Sequence, residues 1–97
     1  MKLAWSNLAV RELQALRAHS IERWGEDVAR GYLSDLRDAA KRVAARPDRA
    51  KRLKGAFRIA RVRSHYLIVH VDEAADRLTI ARVLHTAMDI ERHLPRD

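Results

Sequence analysis

Five histidines are the first candidates for chemistry: His19, His65, His70, His85 and His93. None stands four residues from another, so no helix can present two imidazoles to one metal, and no His-Glu-x-x-His element occurs. His65 and His70 are five apart and should face opposite sides of a strand. Surface or strand-flanking roles suit these histidines better than a metal site. The acids Glu22, Glu26, Asp35 and Asp38 lie among opposite charges at helical spacing, which fits solvated helix faces rather than an acid–base pair. Cysteine is absent, which excludes thiolate ligands, a cysteine nucleophile and a disulfide scaffold. No glycine-rich phosphate loop and no nucleophile elbow is present.

The strongest chemical feature is a run of positive charge. Lys51, Arg52, Lys54, Arg58, Arg61 and Arg63 follow one another with no acid between them. Over the whole chain, 20 Lys and Arg stand against 13 Asp and Glu, a net charge of +7. That excess favours an anionic partner, either nucleic acid or an acidic protein surface. A solvated, charge-protected edge strand is the plainer reading of the same run. Phe57, its single aromatic, suits the core better than a base-stacking platform. Trp5 and Trp24 read as packing between helix and sheet.

The elements that must position these residues follow from periodicity and from chain breakers. The 97 residues fit one domain, 1–97, with no linker, repeat or low-complexity tract. Lys2 to Trp5 could form a short edge strand. Ser6 or Asn7 is an N-cap, its side-chain oxygen free to accept from a helix N–H. Ala9, Leu13, Leu16, Ser20 or Ile21, and Trp24 then recur at helical spacing, and Gly25 terminates the helix. Asp27 opens a second helix with a stripe of Val28, Ala29, Tyr32, Leu33, Leu36, Ala39, Ala40, Val43 and Ala44. Pro47 ends it, because proline disfavours helical geometry in the residue before it.

After Pro47 the period changes. Phe57 to Val62, His65 to Val71 and Arg77 to Leu84 read as three antiparallel strands joined by short polar turns. In the last of them Leu78, Ile80 and Leu84 alternate against Thr79, Ala81 and Val83. A short helix from about Ala87 to Leu94 is stopped by Pro95. The expected class is α+β: an N-terminal helical hairpin packed on an antiparallel three- to four-stranded sheet, with a short C-terminal helix. The longest apolar run, Tyr66 to Val71, is too short to span a bilayer. The N-terminus reaches Arg11 and Glu12 before a signal core can form, so a cytoplasmic protein is expected.

The stretch Ile80-x-Arg-Val-Leu-His85, followed by Met88-Asp-Ile90, resembles the C-terminal signature of ParE toxins in the RelE/ParE superfamily of type II toxin–antitoxin systems. Ala29-x-x-Tyr-Leu-x-x-Leu36, Pro47, Leu53-Lys-Gly55, Phe57-Arg-Ile59 and Tyr66-Leu-Ile-Val69 follow in the family's order, so the resemblance covers essentially the whole chain. It implies a short strand, a helical hairpin and an antiparallel sheet with a variable tail. It also implies a ParD-like antitoxin whose disordered C-terminal segment folds on the toxin, in a hetero-oligomer. The implied target is DNA gyrase, blocked without catalysis and without a cofactor or metal. Operator DNA would be reached only indirectly through the antitoxin, and no membrane is involved.

On this reading Arg58, Arg61, Arg63 and Arg82 are expected to meet antitoxin carboxylates. His85, Met88, Asp89, Ile90, Arg92 and His93 are expected to meet the target. The alternative is the RelE branch, whose members cut messenger RNA on the ribosome with basic residues and a C-terminal Tyr or His. Arg58, Arg61 and Arg82 could supply charge there, with His85 or His93 as the acid–base group. However, Thr86 stands where that branch leads into an arginine, and Ala87 to His93 holds no Tyr. The ParE pattern is the better match.

Overall fold

The computed structural model describes residues 1–94. Five strands and two long helices follow in the order β1 (Lys2–Trp5), α1 (Asn7–Trp24), α2 (Glu26–Ala45), a 3₁₀ turn (Pro47–Arg49), β2 (Lys51–Lys54), β3 (Phe57–Val62), β4 (His65–Asp72) and β5 (Arg77–His85), with a final helical turn α3 (Ile90–His93). The class is α+β, as expected. The sheet has five strands rather than three or four, in the order β1-β5-β4-β3-β2. β1 pairs parallel with β5. The other neighbours are antiparallel.

The helix boundaries follow their local chemistry. Ser6 Oγ accepts from Ala9 N–H at 3.0 Å and donates to the Ala81 carbonyl at 2.8 Å. One hydroxyl thus caps α1 and ties its start to β5. Gly25 takes φ +90 at the junction and donates its N–H to Ile21 O, closing α1. This is backbone that a Cβ disfavours. Pro47 follows the end of α2, leaving Arg46 in a non-helical conformation.

The main core lies between the hairpin and one sheet face. Leu36, Ala40, Leu67, Val69, Leu78 and Ile80 are fully buried there, beside Ala9, Ala39, Val43 and Val83. The alternation expected for β5 holds only to Ile80. Val69 faces Ile80 and Ile68 faces Arg82 in the register, leaving Ala81 unpaired as a bulge. One extra residue inverts the parity of everything after it. Val83 therefore joins the helix-facing core, and Leu84 turns to the opposite face, the reverse of the period-2 expectation. Ile68 and Leu84 are also fully buried, so both sides of the central strands are covered.

Three further expectations are corrected. Trp24 and Val28 are 55% and 53% exposed instead of lying on the inner stripe. They stand at the hairpin tip, where helical spacing alone cannot tell which positions have a sheet beneath them. Phe57 is half-buried, outside the helix-facing core, with its ring edge-on to His70 at 5.1 Å. The C-terminal helix shrinks to Ile90–His93. Ala87 N–H donates to His85 Nδ1 and Met88 N–H to His85 O, which makes a turn of the residues before it. Asp89 then caps the helix by accepting from Glu91 N–H. The stop assigned to Pro95 lies outside the described residues.

Candidate partner-binding surfaces

The basic residues singled out in the sequence divide into two sets. Arg82 is committed inside the fold. Its Nε and Nη2 donate to the Glu12 carboxylate at 3.2 and 2.9 Å, and its Nη1 donates to His93 O at 2.9 Å. Both side chains of this pair are more than four-fifths buried. Glu12 Oε1 also accepts from Val83 N–H at 2.9 Å. β1 ends opposite Ile80, so a carboxylate from α1 satisfies the β5 backbone where the strand has lost its neighbour. Arg82 is thus a clamp between α1, β5 and the C-terminal segment, and its guanidinium is not presented to a partner.

Arg58 is half-buried and donates to Ala50 O at 3.0 Å. It faces the helices, opposite Val69 in the register, with Arg52 beside it across β2. Arg63 does not share a strand face with Arg61. It occupies the β3–β4 turn with φ +53. Its guanidinium pairs with Asp35 of α2 at 2.6 Å and lies 5.4 Å from the centre of the Tyr32 ring. Those contacts hold a non-glycine residue in the left-handed region. Arg61 is exposed on β3, its Nε donating to Arg63 O at 3.0 Å.

The histidines fall apart as their spacing predicts. His70 stacks edge-on with Phe57, whereas His65 turns to the helix side. Tyr32 Oη accepts from Ser64 N–H at 3.2 Å and shares a hydrogen bond with His65 Nδ1, 2.6 Å away. His85 stands directly across β5 with its ring 5.1 Å from that of His65. Burial first, and then the neighbouring His85, push the His65 pKa below the usual imidazole value. Both imidazoles use Nδ1 within the fold. Among the described residues no group of three or more histidine or acidic side chains could hold a metal ion.

The residues expected at the target contact are mostly outward. His85, Met88, Asp89 and Arg92 are exposed, whereas Ile90 and His93 are half-buried. Ile90 lines a cleft of about 370 Å³ with Leu53, Ile59, Arg61 and Tyr66 on the outer sheet face. Arg92 pairs with Asp89 at 3.5 Å on the exposed side of the turn.

Sequence reasoning missed one surface. Arg42, Arg46, Arg49 and Arg61 surround a cleft of about 310 Å³ whose remaining lining is Ala39, Val43, Ala45 and Ala60. These arginines come from the end of α2, the 3₁₀ turn and β3, so no contiguous run announces them. Asp48 pairs with Arg46 at 3.4 Å, and the bonded guanidinium lowers the pKa of its exposed carboxyl.

Residues 3–90 match the family described as ParE toxin of type II toxin-antitoxin system, parDE. Toxin ParE1 of two Mycobacterium tuberculosis strains is 32% identical over 92 residues, spanning 92% of this chain and 93% of the relative. A chain from a structure titled "Chromosomal ParDE TA system from P. aeruginosa" superposes with a TM-score of 0.76, covering 88% of this chain and 95% of that one. At 17% identity that likeness shows the shared fold. The matched stretch runs from β1 to the start of α3, and with the ParE1 relatives it shows that this chain belongs to the ParE toxin family of type II toxin–antitoxin systems.

Proposed function

We propose that this chain is a noncatalytic toxin that binds DNA gyrase and arrests growth, and that a ParD-like antitoxin neutralises it in the cytoplasm. Operator DNA is reached only through the antitoxin. The observation that supports the binding reading over the nuclease reading is the commitment of Arg82. A guanidinium that stabilises a cleaved phosphate must be free to face it. Here it is held by Glu12 and by His93 O. The imidazoles of His65 and His85 likewise have Nδ1 engaged from within the fold, His65 in a hydrogen bond with Tyr32 Oη and His85 accepting from Ala87 N–H.

The proposed target contact is the exposed edge of the C-terminal segment: His85, Met88, Asp89, Ile90, Arg92 and His93. Arg61 and Arg63 are proposed to meet antitoxin carboxylates at the β3–β4 end, with Arg58 and Arg82 acting from inside as supports. The purified chain is expected to inhibit gyrase supercoiling and to leave messenger RNA on translating ribosomes intact. Ribosome-dependent cleavage that disappears on His85→Ala or His93→Ala would move the chain to the RelE branch.

A further inference from the structure

We propose that the outer face of β3 and β4 binds single-stranded DNA, with a base against the Tyr66 ring and phosphates on Lys51, Arg52 and Arg61. Two observations carry it. The first is the cleft on that face, about 370 Å³, a size that suits a nucleotide. Leu53, Ile59 and Ile90 supply its apolar walls, Tyr66 its one aromatic ring, and Lys51, Arg52 and Arg61 its charge. No carboxylate lines it. Among the described residues neither Lys51 nor Arg52 makes an ion pair. Arg61 spends only its Nε, on Arg63 O. Three cations around an apolar space repel one another, and an anion placed among them relieves that repulsion.

The second observation is the register of the face beyond the cleft. Arg61 stands across from Tyr66, Ile59 from Ile68 and Phe57 from His70. Phe57 and Tyr66 therefore share the outer face, each half-buried. Four residues of strand separate the two rows, about 13 Å at the usual rise. Lys51 stands across from Ile59, midway between the rings. An aromatic at each end and a cation between them form a platform on which bases can stack while the backbone meets positive charge.

The same geometry decides between ligands. β3 is paired with β4 along its length and with β2 as far as Ile59. An acidic peptide would find few open backbone groups there and would gain side-chain contacts only. Duplex DNA keeps its bases stacked on one another and would gain only phosphate contacts. The aliphatic walls offer no acceptor to a ribose 2′-hydroxyl, whose burial then costs free energy, so deoxyribose is favoured. The assigned step is binding, with no bond broken.

The test is fluorescence anisotropy of labelled oligo-dT with the full chain. A duplex, oligo-U and an acidic Leu/Glu peptide serve as comparisons. Oligo-dT is expected to bind most tightly, with log K falling against log salt at a slope of about −2 for three neutralised phosphates. Lys51→Glu/Arg52→Glu should weaken it at least tenfold and flatten that slope. Tyr66→Leu keeps the apolar volume and removes the ring, so it should weaken oligo-dT severalfold and leave the slope unchanged. Tyr66→Trp should preserve binding, and Arg30→Glu on the hairpin should not alter it.

Circular dichroism establishes that each variant is folded. If Tyr66→Leu is not, Leu53→Glu, which brings a carboxylate into the cleft, should weaken binding in its place. Amide shifts in NMR spectra are expected at Ile59, Tyr66 and Ile90. Duplex or oligo-U bound as tightly as oligo-dT, a tighter acidic peptide at the same residues, or affinity indifferent to Tyr66→Leu in a folded chain would overturn the assignment. None of these measurements depends on growth arrest, so their failure leaves the toxin reading standing.

Discussion

At the residue scale, the informative side chains are those whose partners come from far along the chain. Glu12 and Arg82 are 70 positions apart, and the carboxylate also holds Val83 N–H. Truncating Glu12 leaves a guanidinium and a strand N–H without their acceptor in a mostly buried place. Glu12→Ala should therefore cost about 2–3 kcal/mol, the scale of losing a hydrogen-bonded, partly screened ion pair. Urea denaturation measures it. A midpoint equal to the parent's would mean that water replaces the carboxylate freely.

His65 makes a pH prediction whose sign follows from its surroundings. Tyr32 Oη is hydrogen-bonded to its Nδ1, Arg63 lies over the same tyrosine paired with Asp35, and His85 stands across the strand. The folded pKa lies below the ordinary 6.5. The unfolded chain then binds the proton first as pH falls. Stability is fully present above 6.5 and is lost from there down to the folded pKa. His65→Gln should reduce that slope. Denaturation midpoints across about pH 5 to 8 test this, and parallel curves for parent and variant would reject it.

At the element scale, the C-terminal segment is the part held most lightly. α3 spans four residues, too few to be stable alone. It is held through Arg82 to His93 O, and its Ile90 borders the cleft on the outer sheet face. Deleting Asp89 to Asp97 should abolish growth arrest while circular dichroism still reports the hairpin and sheet. The Arg82–Glu12 pair and the bulk of the core survive that cut. A truncated chain that remains fully toxic would reject the segment as the effector, and one that unfolds would make it a structural cover for Ile68 and Leu84.

At the scale of the whole molecule, the net charge of +7 sets up a field that extends beyond any one contact. Association with an acidic antitoxin should be steered by it. Raising salt from about 0.05 to 0.5 M shortens the Debye length to a few ångströms. The association rate should then fall by roughly tenfold or more, with the dissociation rate moving less. Stopped-flow mixing reads both, and a salt-independent association rate would separate affinity from the arginine surface.

Much of this molecule was legible in its sequence because the determinants are local. Ser6 as a cap, Gly25 as a junction and Pro47 as a stop act through the backbone of their own neighbours. The inner stripe of α2, from Ala29 through Ala44 apart from the hairpin tip, follows from a period of 3.6. The strands at Phe57, His65 and Arg77, and the opposite facing of His65 and His70, follow from a period of two.

What the tertiary structure decided is non-local. The Ala81 bulge exchanges Val83 and Leu84 between faces, and nothing in the local alternation announces one inserted residue. Arg58, Arg61, Arg63 and Arg82 look alike in a list of charges. Only packing shows that Arg82 is held by Glu12, that Arg58 bonds Ala50 O, that Arg63 pairs with Asp35, and that Arg61 remains exposed. The rim of Arg42, Arg46, Arg49 and Arg61 forms because α2 ends beside the open edge of β3. Periodicity acts within a segment, whereas charge finds its partners across the fold; the sequence could therefore place the elements, and only their packing could say which arginines are left to bind.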